Sequence, residues 1–246
     1  MRQDFSKIFV LSRQKCATTS TGDFLRHHGF SCAGADGTNN RIWGVLALSG
    51  QHEDIFNSKR FQEHQAFEDD PWWMRGMADI LVDKFPDGLY ILIERDADQW
   101  FDSMMAHSKS VGLGFSAIHL LEYERGEDLA NYLLNNRVVI QNERAFPLTE
   151  EHRAHYTRLY RERLGHTLQL FEERGLSERL CHVQLSDPEK WQKIGRFLDL
   201  ETDPNIDVQS NRKDKRKPRK SGFATRFIVS MKAFRLAWKG LKSPLS

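Results

Sequence analysis

Apolar residues along the 246-residue chain fall in short runs separated by helix-patterned stretches. The first run, Lys7–Leu11 ("KIFVL"), is continuous and β-branched at Ile8 and Val10, which predicts a buried strand. A helix is expected from about Ser20 to His28, with Gly29 as its C-terminal stop. "GFSCAGADG" reads as a short strand running into a turn. Residues 41–70 resist assignment, although "RIWGVLALSG" suits a helix. Beyond them the pattern predicts a helix over Pro71–Lys84, with proline at its first position. "FPDG" breaks that helix, and "LYILIE" after it is the clearest strand in the chain. A further helix begins near Asp96–Asp98 and carries "DQWFDSMMAH". Residues 108–148 are less regular and are the expected place of a substrate pocket.

The longest helix is expected over residues 149–175, with capping character at Thr149 and Glu151 and a stop at Gly175. Its apolar positions, Tyr156, Leu159, Tyr160, Leu164, Leu168 and Phe171, recur at three- and four-residue steps. "LCHVQLS" reads as a strand. "DPEKWQKIGRFLDL" reads as a helix with Pro188 near its start and Trp191, Ile194, Phe197 and Leu198 on one face. No internal repeat is visible. Short strands alternating with helices predict an α/β fold with a largely parallel sheet.

Composition adds a division. The chain is 39% hydrophobic and 28% charged, enough apolar material for a core. Residues 209–246 hold twelve of the 36 Lys/Arg and one of the 34 Asp/Glu, Asp214. Residues 1–208 therefore carry nine more acids than bases, and the tail eleven more bases than acids. A domain over 1–208 and a basic appendage over 209–246 are expected. Within the tail, "NRKDKRKPRK" reads as a solvated run. Over residues 222–242, Phe223, Phe227, Met231, Phe234, Trp238 and Leu241 alternate at helical spacing with Arg226, Lys232, Arg235, Lys239 and Lys242. That pattern suits an anionic membrane surface, and equally the acidic body of the domain.

Cys16, Cys32 and Cys181 form no Cys-x-x-Cys pair, so reduced thiols in a cytoplasmic protein are expected rather than a zinc site or disulfide framework. "MRQDFSKIF" has no long apolar run, so no signal peptide is expected. No stretch approaches the ~20 apolar residues of a membrane span.

The chemistry begins at "RQKCATTS". A strand feeding a helix through a tight loop leaves backbone N–H groups free at the helix start, where the helix dipole also favours an anion. Thr18, Thr19 and Ser20 add hydroxyls there. In a nucleoside-triphosphate loop, lysine immediately precedes the Ser/Thr that holds magnesium. Here Lys15 lies three residues before Thr18, and no metal-holding arrangement is evident. A second phosphate-binding candidate is Arg95, which ends the strand "LYILIE". Ser103 follows it eight residues later on the next helix. A guanidinium offers a bidentate clamp for a phosphate. Taken singly, Arg95 equally suits an ion pair with Asp96 or Asp98.

Together these elements resemble the sulfotransferases that use 3′-phosphoadenosine 5′-phosphosulfate (PAPS). "RQKCATTS" is similar to their 5′-phosphosulfate loop, with Lys15, Thr18, Thr19 and Ser20 matching and Cys16 within it. Ala17 stands where the family has glycine, and its methyl suits the loop only if φ stays negative. Arg95 and Ser103 match the family's 3′-phosphate pair. "AFEDDPWWMRGMADILVDKFPDG" resembles one branch of the family and places Asp69 near the position of the base that activates the acceptor. Asp70, His64 and His52 are rivals for that role. Asp-x-Pro before a helix is also an ordinary N-cap arrangement. His107 and His119 fall in the unassigned stretch. "PRKSG" in the tail faintly resembles another of the family's 3′-phosphate elements.

The resemblance covers roughly residues 5–200. It implies a P-loop-like three-layer α/β/α fold with a mainly parallel central sheet. It also implies metal-independent transfer of a sulfuryl group from PAPS to a hydroxyl, or less readily an amine. The acceptor would be a small molecule, lipid or carbohydrate, and no nucleic acid is expected as partner. The alternatives are a nucleotide kinase of related fold, and a non-catalytic membrane- or polyanion-binding protein with a degenerate nucleotide site.

Overall fold

A computed structural model describes residues 4–34, 38–111, 149–203 and 206–208. The tail helix expected over 222–242 lies outside them, as does all but residues 108–111 of the stretch 108–148 in which a pocket is expected. Five strands form one parallel sheet: β1 (Ile8–Val10), β2 (Cys32–Ala33), β3 (Ala66–Phe67), β4 (Leu89–Glu94) and β5 (Leu180–Gln184), in the order β2-β3-β1-β4-β5. β1 lies at the centre, with Ile8 paired to Ala66 on one side and to Leu89 on the other. Both faces of the sheet are covered, so its middle strands are apolar without alternation, as "LYILIE" is.

On one face, Phe9, Leu11, Phe67, Tyr90 and Leu92 meet α2 (Thr38–Leu48), α3 (His52–Phe56), α4 (Lys59–Glu63), α5 (Met77–Lys84) and α7 (Arg153–Glu173). On the other, Ile8, Val10, Ala66, Leu89, Ile91 and Ile93 meet α1 (Thr18–His27) and α8 (Lys190–Phe197) through Phe24, Leu25, Trp191 and Ile194. The result is a three-layer α/β/α arrangement. α6 (Ala97–Val111) packs on α7 around Trp100, Phe101, Tyr156 and Tyr160. Arg153 joins the same two helices, with Asp102 at 2.6 Å and Asp98 at 3.4 Å. These pairs are mostly exposed and add little stability.

Two departures from the sequence pattern matter for the site. The helix expected from Pro71 begins only at Met77, after Gly76 in the left-handed conformation at φ 74°. Residues 71–74 form a turn, closed by the Met74 N–H on the Pro71 carbonyl at 2.9 Å. The physical reason is Trp72. Its ring is drawn into an aromatic cluster, 5.4 Å from Phe9 and 5.1 Å from Phe67. Burying one large side chain is worth about 1.5–3 kcal/mol, enough to override proline's preference for a helix start. Between residues 50 and 70, two five-residue helices, α3 and α4, and the two-residue strand β3 occupy the stretch that the pattern left unassigned.

The chain leaves β1 toward β2 and β3 on one side, and leaves β4 toward β5 on the other. Loops departing in opposite directions open a crevice at the carboxyl ends of β1 and β4, the usual ligand position in such sheets. The loop carrying Lys15 follows β1, Asp69 follows β3 and Arg95 follows β4.

Candidate active site

The loop stays tied to the sheet as it leaves β1. The Leu11 N–H donates to the Ile91 carbonyl at 2.8 Å, and the Ser12 hydroxyl accepts the Ile93 N–H at 2.7 Å. The Cys16 N–H then closes a turn on the Arg13 carbonyl at 3.0 Å. Lys15 and Ala17 both take the left-handed conformation, at φ 69° and 59°. The expectation that Ala17 would keep φ negative is thus overturned: the chain makes the glycine-type turn with alanine. Turns of this kind aim successive N–H groups into one concavity that favours anions. For a residue with a Cβ the conformation costs roughly 1–2 kcal/mol. That cost is held by the bonds of the Thr21 N–H and hydroxyl to the Ala17 carbonyl, both 2.9 Å.

α1 starts at Thr18, two residues before the expected Ser20, so Thr18, Thr19 and Ser20 make its first turn. N–H groups there have no intrahelical acceptor and stand at the positive end of the helix. Thr18 and Ser20 are buried, while Lys15 and Thr19 are half-buried. The Cys16 side chain points inward, fully buried against α6 and α7. Burial pushes its thiol up to about 11, against the opposing pull of the Tyr160 hydroxyl, Arg13 and Arg95. It is a protonated packing group and not a reactive thiolate.

Arg95 reaches the same loop from β4. Its Nη1 donates to the Lys15 carbonyl at 3.2 Å, across eighty residues of sequence. Its Nε is buried and has no acceptor among the described residues. The acids that sequence reasoning offered as ion-pair partners are engaged elsewhere. Asp96 accepts the Gln99 N–H at 3.0 Å, and Asp98 meets Arg153 and Arg161, each at 3.4 Å. Arg95 is therefore held by the loop, and among the described residues its buried Nε donor is left over. Ser103 is half-buried on α6, further along the helix that follows Arg95.

Asp69 sits just past β3, half-buried, at φ 72°. Burial pushes its carboxyl up to about 6, opposed by the Asp70 N–H and by the charge of Lys15. The last influence places Asp69 and Lys15 in one electrostatic neighbourhood. The N-cap role is excluded, because Gly76 caps α5. His64 precedes β3, at the opposite end of the sheet from Asp69, and its Nδ1 lies 2.8 Å from the Arg60 carbonyl. His52 opens α3, where burial lowers its pKa. Asp70 adjoins Asp69, His107 lies on α6 and His119 is outside the described residues.

The sequence fits the Sulfotransferase domain family over residues 7–211. The chain belongs to the sulfotransferase-domain family. No curated protein matches it in sequence. Among solved structures it is similar to a sulfotransferase from Alicyclobacillus acidocaldarius, at 14% identity and a TM-score of 0.47, over 85% of this chain and 87% of that one.

Three residues that sequence reasoning did not assign to the candidate site help build it. The Arg13 guanidinium lies 5.2 Å from the Trp100 ring and 5.8 Å from the Trp73 ring. Trp100 Nε1 donates to the Gln14 carbonyl at 3.0 Å and so fastens the loop to α6. The Tyr160 hydroxyl accepts the Arg95 N–H at 2.9 Å and lies 3.5 Å from the Cys16 sulfur. Trp100 and Tyr160 stack on each other at 4.8 Å. In sequence Tyr160 reads only as a core position of its helix, and Trp100 has no assignment beyond lying on one. Among the described residues, no group of three or more His, Cys, Asp and Glu side chains comes together as a metal site, and no helix is long and apolar enough to cross a membrane.

Proposed function

We propose that this sulfotransferase-family protein moves a sulfuryl group from PAPS to an acceptor hydroxyl, or less readily an amine. The observation that carries the reading is the contact of the Arg95 guanidinium with the Lys15 carbonyl, with Arg95 Nε buried and lacking an acceptor among the described residues. It joins the two phosphate-binding elements at the mouth of one crevice. The left-handed loop and the first-turn N–H groups of α1 suit a 5′-phosphosulfate. Arg95 with Ser103 suits a 3′-phosphate.

In the proposed step, the acceptor oxygen attacks sulfur while the bond from sulfur to the phosphate oxygen breaks. The acceptor's proton passes to Asp69. Lys15 stabilises the charge that grows on the phosphate oxygen, and the desulfated nucleotide, PAP, departs. Fixed donors aimed at developing charge supply the stabilisation. An aspartate whose pKa is raised toward neutrality is a stronger base than an ordinary one. The basic, helix-patterned segment 222–242 is proposed to hold the enzyme at anionic membranes. Deleting residues 209–246 should then abolish pelleting with phosphatidylserine vesicles and leave nucleotide binding intact.

The donor reading is tested by calorimetric titration with PAP and with 5′-AMP, in the absence of metal. Tight PAP binding, weaker 5′-AMP binding and loss of PAP binding in Lys15→Ala and Arg95→Ala support it. Absence of PAP binding by the native protein removes it and points to magnesium-dependent nucleotides instead.

A further inference from the structure

Beside the crevice lies a recess of about 40 Å³. Its walls include Arg13 of the loop, Trp72, Arg75 and Gly76 between Asp69 and α5, and Arg163 and Thr167 of α7. We infer that this recess binds an anionic group of the acceptor, a carboxylate, sulfate or phosphate ester, an assignment that rests on the sulfuryl-transfer reading.

Two features suit an acceptor group in the recess, and the second favours a negatively charged one. Trp72 is only 1% exposed, and its indole N–H has no acceptor among the described residues. A buried donor left unpaired costs about 1–3 kcal/mol, and the residue that carries it is one of those lining the recess. The second feature is the start of α5. Its N-cap, Gly76, provides no side chain to cap the helix, and the Met77 N–H is spent on the Met74 carbonyl at 3.1 Å. The N–H groups of Ala78 and Asp79 follow, with no intrahelical acceptor and at the positive end of the helix.

The charge around the recess agrees. Arg13, Arg75 and Arg163 line it, against one carboxylate among the described lining residues, Asp79. That carboxylate is engaged by His166 Nε2 at 3.1 Å. Arg75 is exposed on the rim. It presents a planar fork of donors that matches a two-oxygen anion.

The recess adjoins, in sequence, the two groups assigned to the reacting atoms. Arg13 lies two residues before Lys15, and Trp72 lies three after Asp69. The two groups assigned to the reacting atoms therefore flank it along the chain. Its size suits one small charged group rather than a whole acceptor, whose hydroxyl would remain in the crevice.

The test is titration of inorganic sulfate into the full chain already saturated with PAP, which fills the nucleotide's phosphate positions; sulfate taken up in the vacated sulfuryl position is told apart by its indifference to Arg75→Gln. The native protein should bind sulfate, and Arg75→Gln should weaken that binding about tenfold. Trp72→Phe should weaken it as well, while Arg75→Gln, a change on the exposed rim, keeps the test independent of core stability. Failure of the native protein to bind PAP strikes the donor reading. Sulfate binding is then measured on Lys15→Ala/Arg95→Ala protein with and without Arg75→Gln, which still decides the recess. No sulfate binding, or equal binding with and without Arg75→Gln, overturns the inference.

Discussion

The Tyr160 hydroxyl lies 2.9 Å from the main-chain nitrogen of Arg95 and accepts its N–H, and the same oxygen lies 3.5 Å from the Cys16 sulfur. One phenol on α7 thus touches both the loop after β1 and the strand end after β4. Burial, with Cys16 close by, raises its pKa, so it stays a protonated phenol.

Tyr160→Phe keeps the ring on Trp100 and deletes only this oxygen. The Arg95 N–H then loses its acceptor, at a cost of about 1–3 kcal/mol. Urea denaturation should report that loss. PAP affinity should fall about tenfold, because Arg95 no longer has a fixed origin. Affinity for 5′-AMP, which lacks the 3′-phosphate assigned to Arg95, should fall less. Equal losses for the two nucleotides would assign Tyr160 a merely structural role.

Ala17→Gly offers a gain. Alanine at φ 59° bears a strain of roughly 1–2 kcal/mol, which glycine relieves. Glycine's extra freedom in the unfolded chain takes back about 0.4–1 kcal/mol. The net expectation is stabilisation by up to about 1 kcal/mol, read as a higher denaturation midpoint with unchanged slope. A lower midpoint would mean that the Ala17 methyl, half-buried against the core around β1, contributes more packing than the strain takes away.

Gly34 is a position of close approach. A Cβ there would stand 1.8 Å from Oε1 of Glu68 and 2.6 Å from Nη2 of Arg26. Glu68 is buried, and Arg26 lies 3.5 Å from it. Gly34→Ala must displace this carboxylate from its guanidinium. Arg26 is 39% exposed and can swing outward, so the cost falls mainly on Glu68, whose buried carboxylate loses a partner at about 1–3 kcal/mol. Residue 68 also sets the position of Asp69. A lower melting temperature is expected, and a shift within about 0.5 kcal/mol, as at a surface site, would contradict the packing described.

Parts of this site were readable in the chain because they depend on local chemistry. Small hydroxyl residues after an apolar run mark a helix start that suits anions, and an arginine closing "LYILIE" marks a strand end. Tyr160 was hidden because a tyrosine at helical spacing reads as core, and only the fold reveals that its oxygen reaches back to β4. The start of α5 was misplaced for a related reason. Pro71 is a good first residue for a helix, and what overrides it is the burial of Trp72 against Phe9 and Phe67, a contact between distant segments. β3 has two residues, too few to display any period. Ala17 is the instructive case at the loop itself. Its sequence identity argued against a left-handed turn, yet the Thr21 bonds to its carbonyl and the inward plug of Cys16 impose one.

Asp69 links pH to both activity and stability. Its carboxyl is pushed up to about 6 by burial, from an ordinary value of 3.8. As a base it works only when ionised, so kcat/KM should rise with pH through a midpoint near 6 and then level. Stability should move the other way. The folded protein holds this proton more tightly than the unfolded chain does. The contribution is full below the ordinary carboxylate range and is lost as pH rises from about 4 through about 6. Asp69→Asn removes both effects. Activity should collapse while PAP still binds, and the pH dependence of the denaturation midpoint between those values should flatten. An acid limb that persists unchanged in residual Asp69→Asn activity would move the base to another group. A flattened stability profile in that same protein would still confirm that Asp69 titrates where its burial places it.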